Sequence, residues 1–180
     1  MHIRLATVSD AAEIAEIYRP YVEDTIISFE LEAPGELEMA RRMERVLERA
    51  PWLVVEERGC VAAYAYANSH HERAAYQWSM DTSVYVRAGQ HRRGLARTLY
   101  TELFKRLLQL GYYTAFAGIS LPNAASVGLH ESFGFEPVGI YRKAGYKFGA
   151  WHDVGWWQRP LRDYVLQPLA PAARMGQLPR

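Results

Sequence analysis

The alternation of apolar and polar positions divides the chain into short, well-punctuated elements. Ile3 to Thr7 reads as a strand, and Ser9 or Asp10 can cap a helix whose apolar positions Ile14, Ile17, Tyr18 and Tyr21 follow helical spacing. Pro34-Gly35 interrupts, and Glu36 to Arg49 restarts a helix with Ala40, Met43 and Leu47 on one face before Pro51 ends it. The apolar runs Trp52 to Glu56 and Cys60 to Ala67 flank Arg58-Gly59, a hairpin signal, and Trp78 to Val86 forms a third strand after a polar loop. Leu95, Leu99, Leu103 and Leu107 recur at four-residue spacing, which predicts a helix over Gly94 to Leu110 with Gly111 as its left-handed C-cap. Tyr112 to Ser120 reads as a strand and Asn123 to Phe133 as a short helix ended by Gly134, after which aromatic and polar residues alternate through Trp157.

The resulting order, β-α-α-β-β-β-α-β-α-β-β, implies an α/β domain with a mixed, largely antiparallel sheet and helices on its faces. A length of 180 residues suits one domain, expected over 1–160. Pro160 followed by Pro168, Pro171 and Pro179 marks 161–180 as a C-terminal tail or a segment that packs against a partner.

Composition narrows the function classes. Lys and Arg number 21 against 20 Asp and Glu, so the formal charge of +1 provides no general field toward nucleic acid or an anionic membrane. Any anion must therefore be gripped locally. The single cysteine, Cys60, rules out an intramolecular disulfide, and its apolar neighbours predict a buried structural thiol rather than a nucleophile. Met1-His2-Ile3-Arg4-Leu5 lacks the charged stretch and apolar core of a secretory leader, and no apolar run has membrane length, so a cytoplasmic location is expected.

The chemistry concentrates where Val84-Tyr85-Val86 leads through a short loop into His91-Arg92-Arg93-Gly94-Leu95-Ala96. A helix N-terminus offers unpaired N–H groups and partial positive charge, which makes the loop entering it an anion site. Gly94 and Ala96 leave the backbone approachable, and Arg92, Arg93 and Arg97 can add charge-assisted bonds to a ligand with several phosphates. A basic surface turn ahead of a helix would carry the same residues.

This loop resembles the Q/R-x-x-G-x-G/A signature of the GNAT N-acetyltransferase superfamily, with His91 in place of the usual Gln or Arg. A second stretch, Asn123 to Phe135, resembles the superfamily's N-x-x-A-x-x-L-Y-x-x-x-G-F helix, with His130 in place of Tyr. That replacement, with Leu121-Pro122-Asn123 and Lys147 to Val154, resembles the phosphinothricin and methionine sulfoximine acetyltransferase branch. The resemblance runs from about Ile3 to Gln158. It implies the GNAT fold, acetyl-CoA as cosubstrate, no metal, a homodimer, and a small amino-acid-like substrate acetylated on its amino group by direct attack. The cosubstrate contacts it implies are Val84, Tyr85, Val86, Arg92, Arg93, Gly94, Leu95, Ala96, Arg97 and Asn123, although Asn123 also suits a plain N-cap.

The resemblance also points to a proton path. An α-amino group is largely protonated at neutral pH, so a base or a water path is needed, and Asp81 stands where the resembled enzymes carry Glu. His130 falls near the substrate, suited to proton delivery or to a substrate hydrogen bond. A backbone N–H of Val84 to Val86 can serve a developing oxyanion. Arg73, Tyr76 and Phe29 match substrate-pocket positions, with the Arg fork suited to a carboxylate. Alternatives within this reading are an acyl-CoA-binding sensor with little catalysis and a peptide N-terminal acetyltransferase. Holding both Asp81 and His130 favours an enzyme, because a pure binder needs neither.

Overall fold

The hairpin at Arg58-Gly59 forms because both residues take positive φ, 53° and 80°, the geometry of the two-residue turn that matches strand twist. In the computed structural model, which describes residues 1–172, it joins β2 (Trp52–Glu57) to β3 (Cys60–Ser69). Cys60 pairs with Glu57 at the mouth of this turn and is exposed, which corrects the expectation of a buried thiol. Burial begins one residue later, at Val61.

The remaining elements are β1 (His2–Leu5), α1 (Ala11–Glu23), α2 (Glu36–Leu47), β4 (Ser79–Val86), α3 (Leu95–Leu110), β5 (Thr114–Leu121), α4 (Ala124–Glu131), β6 (Glu136–Lys147) and β7 (Ala150–Pro160). Their order is the one expected from the sequence pattern. Asp10 stands at the N-cap position of α1 but caps no N–H of that helix, its side chain serving the turn before it instead. Its carboxylate accepts the Thr7 N–H at 2.8 Å and the Arg4 guanidinium at 2.8 Å on each oxygen, which holds it below the usual carboxylate range. At the far end of α3, Gly111 sits at φ 93°, the left-handed cap that the leucine spacing anticipated.

The seven strands form one sheet in the order β1-β2-β3-β4-β5-β7-β6, antiparallel throughout except between β4 and β5. Trp52 to Val55 and Val61 to Ala65 are buried at consecutive positions, as happens when a sheet is covered on both faces. Tyr64 and Tyr85 face α1, while alternate residues face α3. The parallel pair is what creates a site. β4 stays with β3 as far as Val86 and β5 stays with β7 as far as Leu121, yet β4 and β5 pair only from Ser79–Thr114 to Asp81–Phe116. Beyond Asp81 the two strands part.

Residues 161–172 run back across the starts of β5 and β4 to the end of α3. Leu161 donates to the Tyr113 carbonyl, Trp78 Nε1 to Leu169, and Ala172 to Leu110, each at 2.8 Å. The rest of the expected tail, 173–180, lies outside the described residues.

Candidate active site

The parting of β4 from β5 leaves backbone groups without a strand partner, and these open a groove. On β4 the Tyr21 hydroxyl serves Val86, donating to its carbonyl at 2.6 Å and accepting from its N–H at 3.2 Å. Val84, two residues back, directs its N–H and C=O to the same side. The groove, about 510 Å³, is lined by Val84, Val86, Arg92, Gly94, Leu95, Ala96, Arg97 and Asn123 among others. Gly94 holds φ 80°, a left-handed conformation that strains any other residue, and a Cβ there would meet no atom within 4 Å. The N–H groups that open α3 have no partner within their own helix and supply the positive end of its dipole.

Two of the expected cosubstrate residues turn elsewhere. Arg93 is committed to Glu57 at 2.9 and 3.2 Å and to Gln90, beside the hairpin rather than in the groove. The Tyr85 side chain packs among Tyr18, Tyr21 and Tyr64 at centroid distances of 5.0, 5.0 and 5.2 Å, where burial raises its phenol well above the ordinary value. Arg97 stays at the groove, bonded to Ser132 Oγ at 2.8 Å and lying over the Phe133 ring. His91 is exposed and its Nε2 meets the Tyr21 hydroxyl at 3.0 Å.

Where the strands separate, a smaller cavity of about 60 Å³ adjoins the groove, sharing Ile27, Val84, Asn123 and Ser126 with it. Asn123 caps α4, its Oδ1 accepting the Ser126 N–H at 3.1 Å, and also lines both cavities, so its two expected roles coexist geometrically. His130 is buried, with both ring nitrogens engaged. Nδ1 lies 2.8 Å from the Ser126 carbonyl, which can only accept, so Nδ1 carries the proton and Nε2 accepts from the Tyr100 hydroxyl at 3.0 Å. Burial pushes the His130 pKa down and keeps the imidazole neutral.

Asp81 occupies the last paired position of β4, opposite Phe116. Its Oδ1 lies 2.7 Å from His70 Nδ1, a partner that the sequence pattern did not single out. The His70 ring stacks on Phe116 at 4.1 Å and 11°, with Trp156 edge-on at 5.7 Å and Tyr76 at 6.0 Å. Burial raises the Asp81 carboxyl above its ordinary range, and the bond from His70 works against that rise. Tyr76 thus joins Asp81 through His70, whereas Arg73 stands exposed at the start of the same turn.

Phe29 comes from the segment after α1 and packs on His152 at 6.2 Å and against Gly145, where any side chain would displace the ring. A second unanticipated residue holds this segment in place. The buried Lys147 ammonium donates to the carbonyls of Val22, Thr25 and Ser28 at 2.5, 3.0 and 2.7 Å. A lysine inside an aromatic run hints at burial with carbonyl partners, but nothing local says which carbonyls.

Residues 3–156 match the family described as acetyltransferase (GNAT) domain. A phosphinothricin N-acetyltransferase of Streptomyces viridochromogenes is 43% identical over 97% of this chain and 96% of its own length. An L-methionine sulfoximine/L-methionine sulfone acetyltransferase of Salmonella typhimurium is 33% identical over 92% and 97%. The crystal structure of a GNAT superfamily phosphinothricin acetyltransferase from Sinorhizobium meliloti in complex with acetyl-CoA superimposes with a TM-score of 0.85, at 31% identity and covering 99% of this chain and 92% of that one. With a sheet that parts at Asp81, a glycine-opened helix start and these matches across nearly its full length, the chain belongs to the GNAT acetyltransferase family.

Proposed function

We propose that this enzyme transfers the acetyl group of acetyl-CoA to the α-amino group of a small amino-acid analogue of the phosphinothricin or methionine sulfoximine type. The observation that carries this reading is the groove running from the start of α3 to the parting of β4 and β5, with Asp81 at the point of parting. The residues fit the cosubstrate. The first turn of α3, the open Gly94 and the side chains of Arg92 and Arg97 suit the pyrophosphate, and the free edge of β4 at Val84 suits the amide-bearing arm. When bound, acetyl-CoA supplies an activated acyl group as a thioester.

The chain's own residues do the rest. The Val84 N–H, directed into the opening, can stabilise charge that develops on the acyl oxygen. Asp81, bonded to His70, stands at the last pairing before the strands part, which suits removal of a proton from the incoming ammonium. His130 acts through Tyr100: with both nitrogens engaged and the imidazole neutral, it holds the phenol at the cavity wall instead of passing a proton to the substrate. The exposed Arg73 would pair with the substrate carboxylate and Tyr76 and Phe29 would flank the pocket. Cys60, out on the β2–β3 turn, takes no part, and transfer is direct.

The reading extends to a homodimer in the cytoplasm. The exposed apolar residues of β6, β7 and their turn, Val138, Ile140, Tyr141, Tyr146, Phe148 and Trp151, support self-association. A lone cysteine requires no oxidising compartment. The test is release of free thiol from acetyl-CoA against a panel of amino acids that includes phosphinothricin and methionine sulfoximine. Acetylation of one small amino acid with no turnover of peptide N-termini is the expected result, and thiol release only with peptides would overturn it.

A further inference from the structure

We propose that His70 is the proton acceptor for the substrate ammonium, with Asp81 as the residue that orients it. This rests on the acetyl-transfer reading and assigns its base. An ionised carboxylate only accepts, so the 2.7 Å contact places the His70 proton on Nδ1 and leaves Nε2 with a free lone pair. Among the described residues Nε2 has no hydrogen-bond partner, and it is not among the buried atoms left unsatisfied, so it is open to solvent or to a substrate. The ring cannot wander, because Phe116 stacks on its face and Trp156 meets it edge-on.

Chemistry favours the imidazole over the carboxylate as the acceptor. The Asp81 oxygen nearest the ring is engaged by the Nδ1 proton, whereas Nε2 keeps an unshared lone pair on the side of the ring away from Asp81. The ionisable groups facing His70 are Asp81 from β4 and, from its own loop, His71 at 4.3 Å between ring centroids and Tyr76 at 6.0 Å. β5 and β7 present only the uncharged Phe116 and Trp156.

The step balances. Neutral imidazole takes one proton from R–NH3⁺ at Nε2, and the imidazolium returns it to water. The freed amine forms the N–C bond as the C–S bond breaks, and a second amine proton ends on the departing sulfur.

The experiment measures kcat and kcat/KM against pH for the full chain and for His70→Gln and His70→Ala, and reads the His70 ring nitrogens of the wild type by NMR. Near neutral pH, His70→Gln should lose about 10²- to 10⁴-fold in kcat, with recovery as rising pH frees the amine. His70→Ala should regain activity with added imidazole, and both variants should keep the CoA-dependent rise in melting temperature. Wild-type kcat in His70→Gln, with its acidic limb in place, would overturn the proposal and return the base to Asp81. NMR separates this failure from failure of the acetyl-transfer reading. A ring protonated on Nε2 rather than Nδ1 refutes the proposal whether or not any amine is turned over.

Discussion

Replacing Lys147 with methionine tests the loop that carries Ile27 and Phe29. The three ammonium protons go to three carbonyls at 2.5, 3.0 and 2.7 Å, and the side chain is buried, so no water stands ready to replace it. Methionine follows the lysine chain as far as Cε and removes the donors. The bonds to Val22 and Ser28 are fully buried, and each stranded carbonyl costs about 1–3 kcal/mol. Two of them give about 2–6 kcal/mol, and relief of the ammonium's desolvation offsets part of that. A net loss of about 3 kcal/mol lowers the melting temperature of a domain this size by roughly 6–12 °C. The same change frees the segment bearing Ile27, at the cavity, and Phe29, against Gly145, so the amine KM should rise while acetyl-CoA affinity changes little. The assay pairs melting curves with steady-state kinetics in both substrates. A melting temperature within about 2 °C of wild type, together with an unchanged amine KM, would refute the tethering role.

Three further outcomes follow from the site. Gly94→Asp places a carboxylate and a strained φ at the start of α3, so the CoA-dependent rise in melting temperature should vanish; an undiminished rise would remove this turn from the phosphate site. Arg73→Ala should raise the amino-acid KM at least tenfold, about 1.4 kcal/mol, with acetyl-CoA affinity intact, and an unchanged KM would return Arg73 to the solvated surface. His130 has a folded pKa below its unfolded value near 6.5, so it contributes stability above that pH which is lost as pH falls toward the folded value. His130→Gln should therefore flatten the acid side of the melting-temperature profile, and parallel profiles would count against a neutral buried imidazole.

The element order was legible because each signal is local. Leucines every four residues specify α3, Gly111 caps it, and Arg58-Gly59 closes a hairpin, all set by backbone conformation within a few residues. The loop at Gly94 was legible for the same reason. Cys60 was misjudged because local hydrophobicity does not say where a turn ends, and one position decides between the sheet interior and its rim.

What the sequence could not show lies in pairings across the sheet. His70 and Asp81 are eleven residues apart and meet only because β3 and β4 pair antiparallel, with Asn68 opposite Asp81. Lys147 reaches carbonyls more than a hundred residues away, and Arg93, in the loop before α3, leaves the groove for Glu57 at the end of β2. The sequence by itself determined the helices, the turns and an anion-ready helix start, since those depend on neighbours along the chain. Only the tertiary structure decided which arginine faces the groove, which histidine is free to take a proton and which is locked, since register and packing bring distant residues to one place.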